Sequence, residues 1–197
     1  MAALAGFVLH AARALPAWRK WRAPRIRAAQ LTDRERVQAF VRGLSPRSRY
    51  LRFFRPLPEL PSDMLERLLH ADAARERVLL AVVREARATR VVGLAQYAQE
   101  DDGGCEFALA VADDWQGRGL GARLLRTLID AAEAAGIAQI RGEVLRENRA
   151  MLRLARTLGF SVAHSPIDAS ALRIVRPLSR ATPRAAAQPA GCLPRPA

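Results

Sequence analysis

Gln116-Gly117-Arg118-Gly119-Leu120-Gly121 places three glycines within five residues, directly before a stretch of helical period. Glycine lets a backbone approach a ligand closely and take up left-handed turns. The first N–H groups of a helix lack intrahelical partners and carry a partial positive charge, so a phosphate group there gains hydrogen bonds and a favourable field. Arg118 and Arg123 would add charge. The chemistry suggested is capture of a pyrophosphate. Two familiar phosphate loops do not fit. A nucleotide P-loop needs Gly-Lys-Ser/Thr before its helix, and Gly121 is followed by Ala122-Arg123. A dinucleotide fingerprint needs Gly-x-Gly-x-x-Gly, and the third glycine here comes one residue early. The alternative is a tight turn with no ligand, which requires fewer glycines than these.

The elements that position this loop follow from period and punctuation. Arg25 to Ala29 reads as a short strand. Thr32 with Glu35 has the spacing of a capping box, opening a helix with Val37, Phe40 and Val41 at helical intervals. Ser45-Pro46 starts a second helix through Tyr50 and Phe54, with proline where its missing N–H costs nothing. Pro56, Pro58 and Pro61 break the chain before a third helix, Ser62 to Ala71, which buries Met64, Leu65, Leu68 and Leu69. Val78 to Val83, Val91 to Tyr97 and Cys105 to Val111 are β-prone runs, the last following the turn Asp102-Gly103-Gly104; they read as an antiparallel meander. Leu120, Leu124, Leu125, Leu128, Ile129 and Ala132 then recur at helical spacing up to Gly136, a left-handed stop. Gln139 to Leu145 is a strand, Arg149 to Leu158 a helix stopped by Gly159, and residues 160–163 and 171–175 are final strands. The expectation is one α/β domain over residues 25–180, a central sheet flanked by helices. Residues 1–24 form a basic extension, and the Pro/Ala/Arg composition of 181–197 reads as a disordered tail.

Composition narrows the function classes. The chain has 197 residues and a formal charge of +13. Ten of those charges lie in residues 1–25 and 173–197, which hold no acid. The body is therefore only weakly basic, which argues against a nucleic-acid-binding domain; the tails either solubilise or touch an acidic partner. Lys20 is the only lysine. Cys105, Cys192 and the scattered His10, His70 and His164 suggest neither a disulfide framework nor a metal site, and they fit a reducing cytoplasm. No apolar run approaches the roughly 20 residues of a membrane span. At the start, apolar Ala2 to Leu9 precedes the charges, the reverse of a secretory signal. Phe7 to Trp21 would make a short amphipathic helix with a basic face, for which partner-dependent structure, membrane contact or an organellar address are the readings.

With Gln116-x-x-Gly119-x-Gly121 following a strand that ends at Val111, the chain resembles the GNAT N-acetyltransferases. The segment Glu143-Val-Leu-Arg-Glu-Asn148, continuing to Gly159-Phe160, is similar to that family's second motif. Leu44-Ser-Pro-Arg-Ser-Arg-Tyr-Leu-Arg-Phe-Phe54 and Glu106-Phe-Ala-Leu-Ala-Val111 look closest to the acetyltransferase domain of bacterial Pat-type protein lysine acetyltransferases. Many of those carry a long acyl-CoA-synthetase-like region before this domain, where here some 24 residues stand. The resemblance implies a mixed, mostly antiparallel sheet and acetyl-CoA as co-substrate, with no metal. It also implies an amine acceptor, a protein lysine or alternatively a small amine; a non-catalytic acyl-CoA sensor is the third reading. The site it implies is specific. Gln116, Gly117, Arg118, Gly119, Leu120 and Gly121 hold the pyrophosphate. The backbone of Leu109, Ala110 and Val111 pairs with the pantetheine arm, and the Val111 N–H polarises the thioester carbonyl. Asn148 bonds the arm, or else makes a local backbone bond. Glu106 is the general base, and burial would raise its pKa into a useful range; the bland alternative is a solvent-facing strand residue. Glu143 is the second candidate. Family members often place a Tyr acid four residues before the Gly-Phe pair; here Ala155 stands there.

Overall fold

The computed structural model describes residues 23–85 and 88–179. Most of the basic extension and all of the 181–197 tail therefore lie outside the described residues. Along the chain run β1 (Arg25–Ala28), α1 (Arg34–Gly43), α2 (Pro46–Phe53), α3 (Ser62–Leu69), β2 (Glu76–Glu85), β3 (Ala88–Gln99), β4 (Cys105–Val111), α4 (Leu120–Ala134), β5 (Gln139–Leu145), α5 (Arg149–Thr157), β6 (Ser161–His164) and β7 (Ala171–Pro177). The order of elements is the expected one. The strands form a single seven-stranded sheet, β1-β2-β3-β4-β5-β7-β6. Every neighbouring pair is antiparallel except β4 and β5. Those two are joined through α4, the crossover that a parallel pair needs.

Helices cover both faces. α4 buries Leu120, Leu124, Leu125, Leu128, Ile129 and Ala132, the stripe its period specified. It lies so close to β3 that a Cβ on Gly93 would stand 2.6 Å from Leu124 Cδ1. The next residue, Leu94, points to the other face, as strand alternation demands, and lines a cavity with Phe40, Val41 and Met64 of α1 and α3. So α1–α3 cover one face and α4 the other. Both α4 and α5 end as their glycines require. Gly136 and Gly159 adopt φ of +73° and +80°, and Ile137 and Phe160 N–H groups bond back to Ala132 and Ala155 carbonyls.

One start signal is corrected. Thr32 and Glu35 do not open α1; a 3-10 turn, Leu31–Asp33, precedes it, and Asp33 reaches back to accept the Gln30 N–H at 3.0 Å. A carboxylate one methylene shorter than Glu closes that tighter turn. Asp33 is also the buried charged side chain of the described core. Arg27 donates to both of its oxygens, at 2.6 and 2.7 Å, and Arg36 donates at 3.1 Å. Those bonds, Arg27's foremost, hold its pKa below the usual carboxylate value against the opposing effect of burial. Ser45 behaves as expected at α2, its Oγ accepting the Ser48 N–H at 3.2 Å. α3 stops at Leu69, two residues short of Ala71, while β2 and β3 run beyond their apolar centres into charged and polar ends.

Candidate active site

β4 and β5 pair over only two positions, Cys105 with Ile140 and Glu106 with Arg141, and then diverge. What β4 offers to the opening follows from its other neighbour. The Ala112 N–H donates to the Val92 carbonyl at 3.0 Å. Bonding alternates along an antiparallel ladder, so Ala108 and Ala110 also bond to β3, while Leu109 and Val111 turn their N–H and C=O groups away from it. Beyond Glu106 no β5 residue meets them. The Val111 carbonyl is taken by the Gln116 side-chain amide at 3.0 Å. That leaves Leu109 N–H and C=O and Val111 N–H facing the gap, a strand edge open to an extended ligand. A cavity of about 300 Å³ occupies the gap, lined by Glu106, Leu109, Gly142, Glu143, Asn148 and Met151 among others.

The glycine loop stands at the end of β4. Gly117 and Gly119 adopt φ of +70° and +81°, with open space where a Cβ would be. Gly119 is the residue before α4, and the first helical bond runs from the Arg123 N–H to its carbonyl. The N–H groups of Leu120, Gly121 and Ala122 therefore have no carbonyl within the helix to bond. Arg118 lies over the ring of the buried Trp115, 5.5 Å from its centroid. Gln116 holds the loop's shape from within, bonding Val111 and the Ser48 Oγ.

Asp113 is a functional-loop residue that the sequence reading passed over. Its carboxylate accepts the Ser45 N–H at 2.9 Å and the hydroxyls of Ser45 and Ser48 at 2.8 and 2.7 Å, tying the start of α2 to the loop. Burial acts to raise its pKa, but those hydrogen bonds outweigh it and the pKa is lowered. Its neighbour Asp114 receives both terminal nitrogens of Arg90, fastening the loop to β3. The signal was present in Ser-Pro-Arg-Ser and Asp-Asp-Trp, which lie far apart in sequence and acquire meaning only together.

Side chains of β4 divide between the faces. Leu109 and Val111 lie near Gly121 on the α4 side, and Ala110 lines the α1–α3 cavity. Glu106 shares the Ala110 face and is solvent-exposed, which corrects the expectation that the fold alone buries it. Leu51, Arg52 and Phe54, at the end of α2, border the gap without covering Glu106. Glu143 is only 14% exposed, and its Oε1 accepts from Arg173 Nε at 2.7 Å. Asn148 caps α5, its Oδ1 accepting the Met151 N–H at 3.1 Å. This is the local backbone bond, and it leaves the amide NH₂ as a donor at the cavity wall. Ala155 is fully buried in the core, so α5 presents no side-chain acid at that position. Arg52, from α2, borders both this cavity and the one beneath α1–α3.

An open strand edge leading to a glycine-rich helix start is an arrangement that could take an extended ligand with an anionic group at one end. The family model described as acetyltransferase (GNAT) family matches residues 46–160. An acetyltransferase of Pseudomonas aeruginosa is 38% identical over 146 residues, spanning 74% of this chain and 78% of that protein. An L-methionine sulfoximine/L-methionine sulfone acetyltransferase of Pseudomonas paraeruginosa is 32% identical over 110 residues, 53% of this chain and 64% of that protein. Among solved structures, the GNAT domain of S. lividans PAT superposes with a TM-score of 0.72 at 26% identity, covering 79% of this chain and 90% of that one. The chain belongs to the GNAT acetyltransferase family. It is an N-acetyltransferase with acetyl-CoA as co-substrate. No helix among the described residues is long and apolar enough to cross a membrane.

Proposed function

We propose that the protein transfers the acetyl group of acetyl-CoA to the side-chain amine of a protein lysine, with Glu106 as general base. The observation that carries the reading is the divergence of β4 from β5, which leaves Leu109 and Val111 backbone groups open beside an accessible carboxylate. In this reading the backbone of residues 109–111 pairs with the pantetheine arm and the Asn148 NH₂ donates to it. The N–H groups of residues 117–121 hold the pyrophosphate. Gln116 acts indirectly, by bracing the loop. The thioester supplies an activated acyl carbon, and the Val111 N–H is placed to donate to its carbonyl oxygen as charge develops there.

A lysine amine has a pKa near 10.4, so about one in 10³ is neutral at pH 7. The attacking nitrogen must lose a proton, and Glu106 is the exposed carboxylate on the face from which an acceptor reaches the gap. The arriving acceptor supplies the burial that the empty fold does not. Glu143, with Oε1 bonded to Arg173 and Oε2 buried without a partner, serves as the wall of the gap. With Ala155 in the Tyr position, solvent protonates the leaving thiolate, whose conjugate thiol is of ordinary acidity, with a pKa of about 8.5. The resemblance of Leu44 to Phe54 and of Glu106 to Val111 to Pat-type protein lysine acetyltransferases supports a protein acceptor. A small amine is the second reading, favoured by the cavity of about 440 Å³ beneath α1–α3 and by the sulfoximine/sulfone acetyltransferase relative. The buried thiol Cys105 and the choice of acyl donor fit the cytoplasm. All of these residues lie within 25–180, and the extensions 1–24 and 181–197 take no part in this reading.

The test is Glu106→Gln. It keeps the shape of the side chain and should lower turnover about 10²–10⁴-fold, while acetyl-CoA affinity stays within a factor of two. The wild-type rate should rise with pH through an apparent pKa, and the variant should lose that limb. A wild-type rate with an unchanged pH profile would put the base elsewhere, with Glu143→Gln the next variant. Turnover against lysine peptides and a panel of small amines separates the two acceptor readings.

A further inference from the structure

The cavity of about 440 Å³ on the α1–α3 side of the sheet is walled mainly by apolar side chains, among them Phe40, Leu44, Leu60 and Leu68. Arg55, Arg67, Glu76 and Tyr97 also reach its wall, and two further polar side chains stand out among the lining. Arg52 Nε and Gln96 Oε1 are both sealed from solvent, and neither has a hydrogen-bond partner in the protein. Buried donors and acceptors are nearly always satisfied, and an unpaired guanidinium is the costliest exception. The Arg52 guanidinium carbon lies over the Phe53 ring, 4.8 Å from the centroid. Burial lowers its pKa to about 10, with the Glu106 charge acting the other way, so it stays cationic at neutral pH. Glu106 is near enough for that effect, yet the two form no salt bridge within 4.0 Å.

Arg52 also borders the gap that holds Glu106, so its head group lies where the two cavities adjoin. A guanidinium whose Nε is buried without a partner is matched best by a carboxylate, which takes two parallel N–H bonds from its fork. We propose that Arg52 is a specificity-determining residue that binds a carboxylate carried by the acceptor, on the same molecule as the amine that Glu106 deprotonates. This rests on the acceptor entering on the Glu106 face, as set out above. Two sources supply that chemistry: the α-carboxylate of a free amino acid, whose apolar side chain the cavity would receive, or an acidic residue beside a target lysine.

Matched acceptors separate the sources and test the role. Steady-state acetylation is measured for L-leucine against L-leucinamide, and for an N-blocked lysine peptide with Asp beside the lysine against the same peptide with Asn. The wild type should prefer the carboxylate member of one pair on the order of 10–100-fold in kcat/KM, and the pair that shows the preference names the source. Arg52→Met should bring that ratio to about one, chiefly through KM. Arg52→Lys, which keeps a charge but not the fork, should retain part of it. If Arg52→Met does not fold, the wild-type and Arg52→Lys ratios decide alone. A wild-type ratio near one in both pairs overturns the proposal. So does an unchanged ratio in the variants, or a fall in kcat equal for both members, which would mark an effect through Glu106. The ratio does not depend on which group takes the proton, so a failure of Glu106 as base shows in its own pH profile.

Discussion

Helix α4 is bounded by two glycines in the same unusual conformation, and this allows a controlled experiment on the proposed cofactor loop. Gly119 precedes the helix at φ +81° and Gly136 follows it at φ +73°. A Cβ at either would meet nothing within 4 Å. Alanine at either site therefore adds no clash, only the strain of a left-handed L-residue, about 1–2 kcal/mol. For a domain of this size that is a drop of roughly 2–8 °C in Tm for Gly136→Ala in urea or thermal unfolding, and a smaller one for Gly119→Ala, whose loop is free to relax. Their effects on acetyl-CoA should differ. Gly136 is locked by the Gly136 and Ile137 N–H bonds to Glu133 and Ala132, far from the loop. Gly119→Ala can shed strain by turning the loop out of the left-handed region, which re-aims the N–H groups of residues 117–121. Binding must restore the original turn, so the strain appears in Kd, about 5–30-fold weaker by calorimetric titration. Gly136→Ala should bind within a factor of two of wild type. Equal Kd values for all three proteins, or equal weakening in both variants, would refute the assignment of the loop as the pyrophosphate cradle.

Two further outcomes concern the frame around the site. Asp33→Asn puts an NH₂ against donors that now meet an oxygen. It should cost about 3 kcal/mol, from two lost charge-assisted bonds moderated because Arg27 and Arg36, with side chains 23% and 43% exposed, can rehydrate. Because the folded pKa of Asp33 is lowered, its contribution is complete above the unfolded value of about 3.9 and is lost as pH falls through the folded one. Denaturation midpoints of wild type and variant should thus stay apart from pH 7 to about 5 and converge below about pH 4; a gap unchanged in acid would contradict the ion-pair account. Gly93→Ala forces a methyl towards Leu124 Cδ1 inside a core with no slack. It should destabilise by roughly 1–3 kcal/mol, and a variant as stable as wild type would show that α4 can lift from β3 freely.

The sequence carried the elements and the glycine loop because both are local. Leu120 to Ala132 repeat at helical spacing whatever they pack against, and Gly117 and Gly119 mark left-handed turns by lacking a side chain. What it did not carry was relational. Gln139 to Leu145 reads as a strand, but nothing in those residues says that its ladder with β4 ends after Glu106, and the open edge exists only because it does. Likewise, alternation puts Glu106 on the face of Ala108 and Ala110, but whether helices cover that face depends on where α2 and α3 stop. Burial was expected there and is absent in the fold. Asp113 illustrates the same limit: its partners Ser45 and Ser48 are some 65–68 residues away. In a chain so rich in arginine, Arg52 is unremarkable until the fold shows that its Nε meets no acceptor. The distinction has a physical basis. Period, capping and turn chemistry act over a few residues and leave a pattern in composition. A catalytic gap is made by the termination of pairing and the withholding of partners, and no residue type encodes a missing contact.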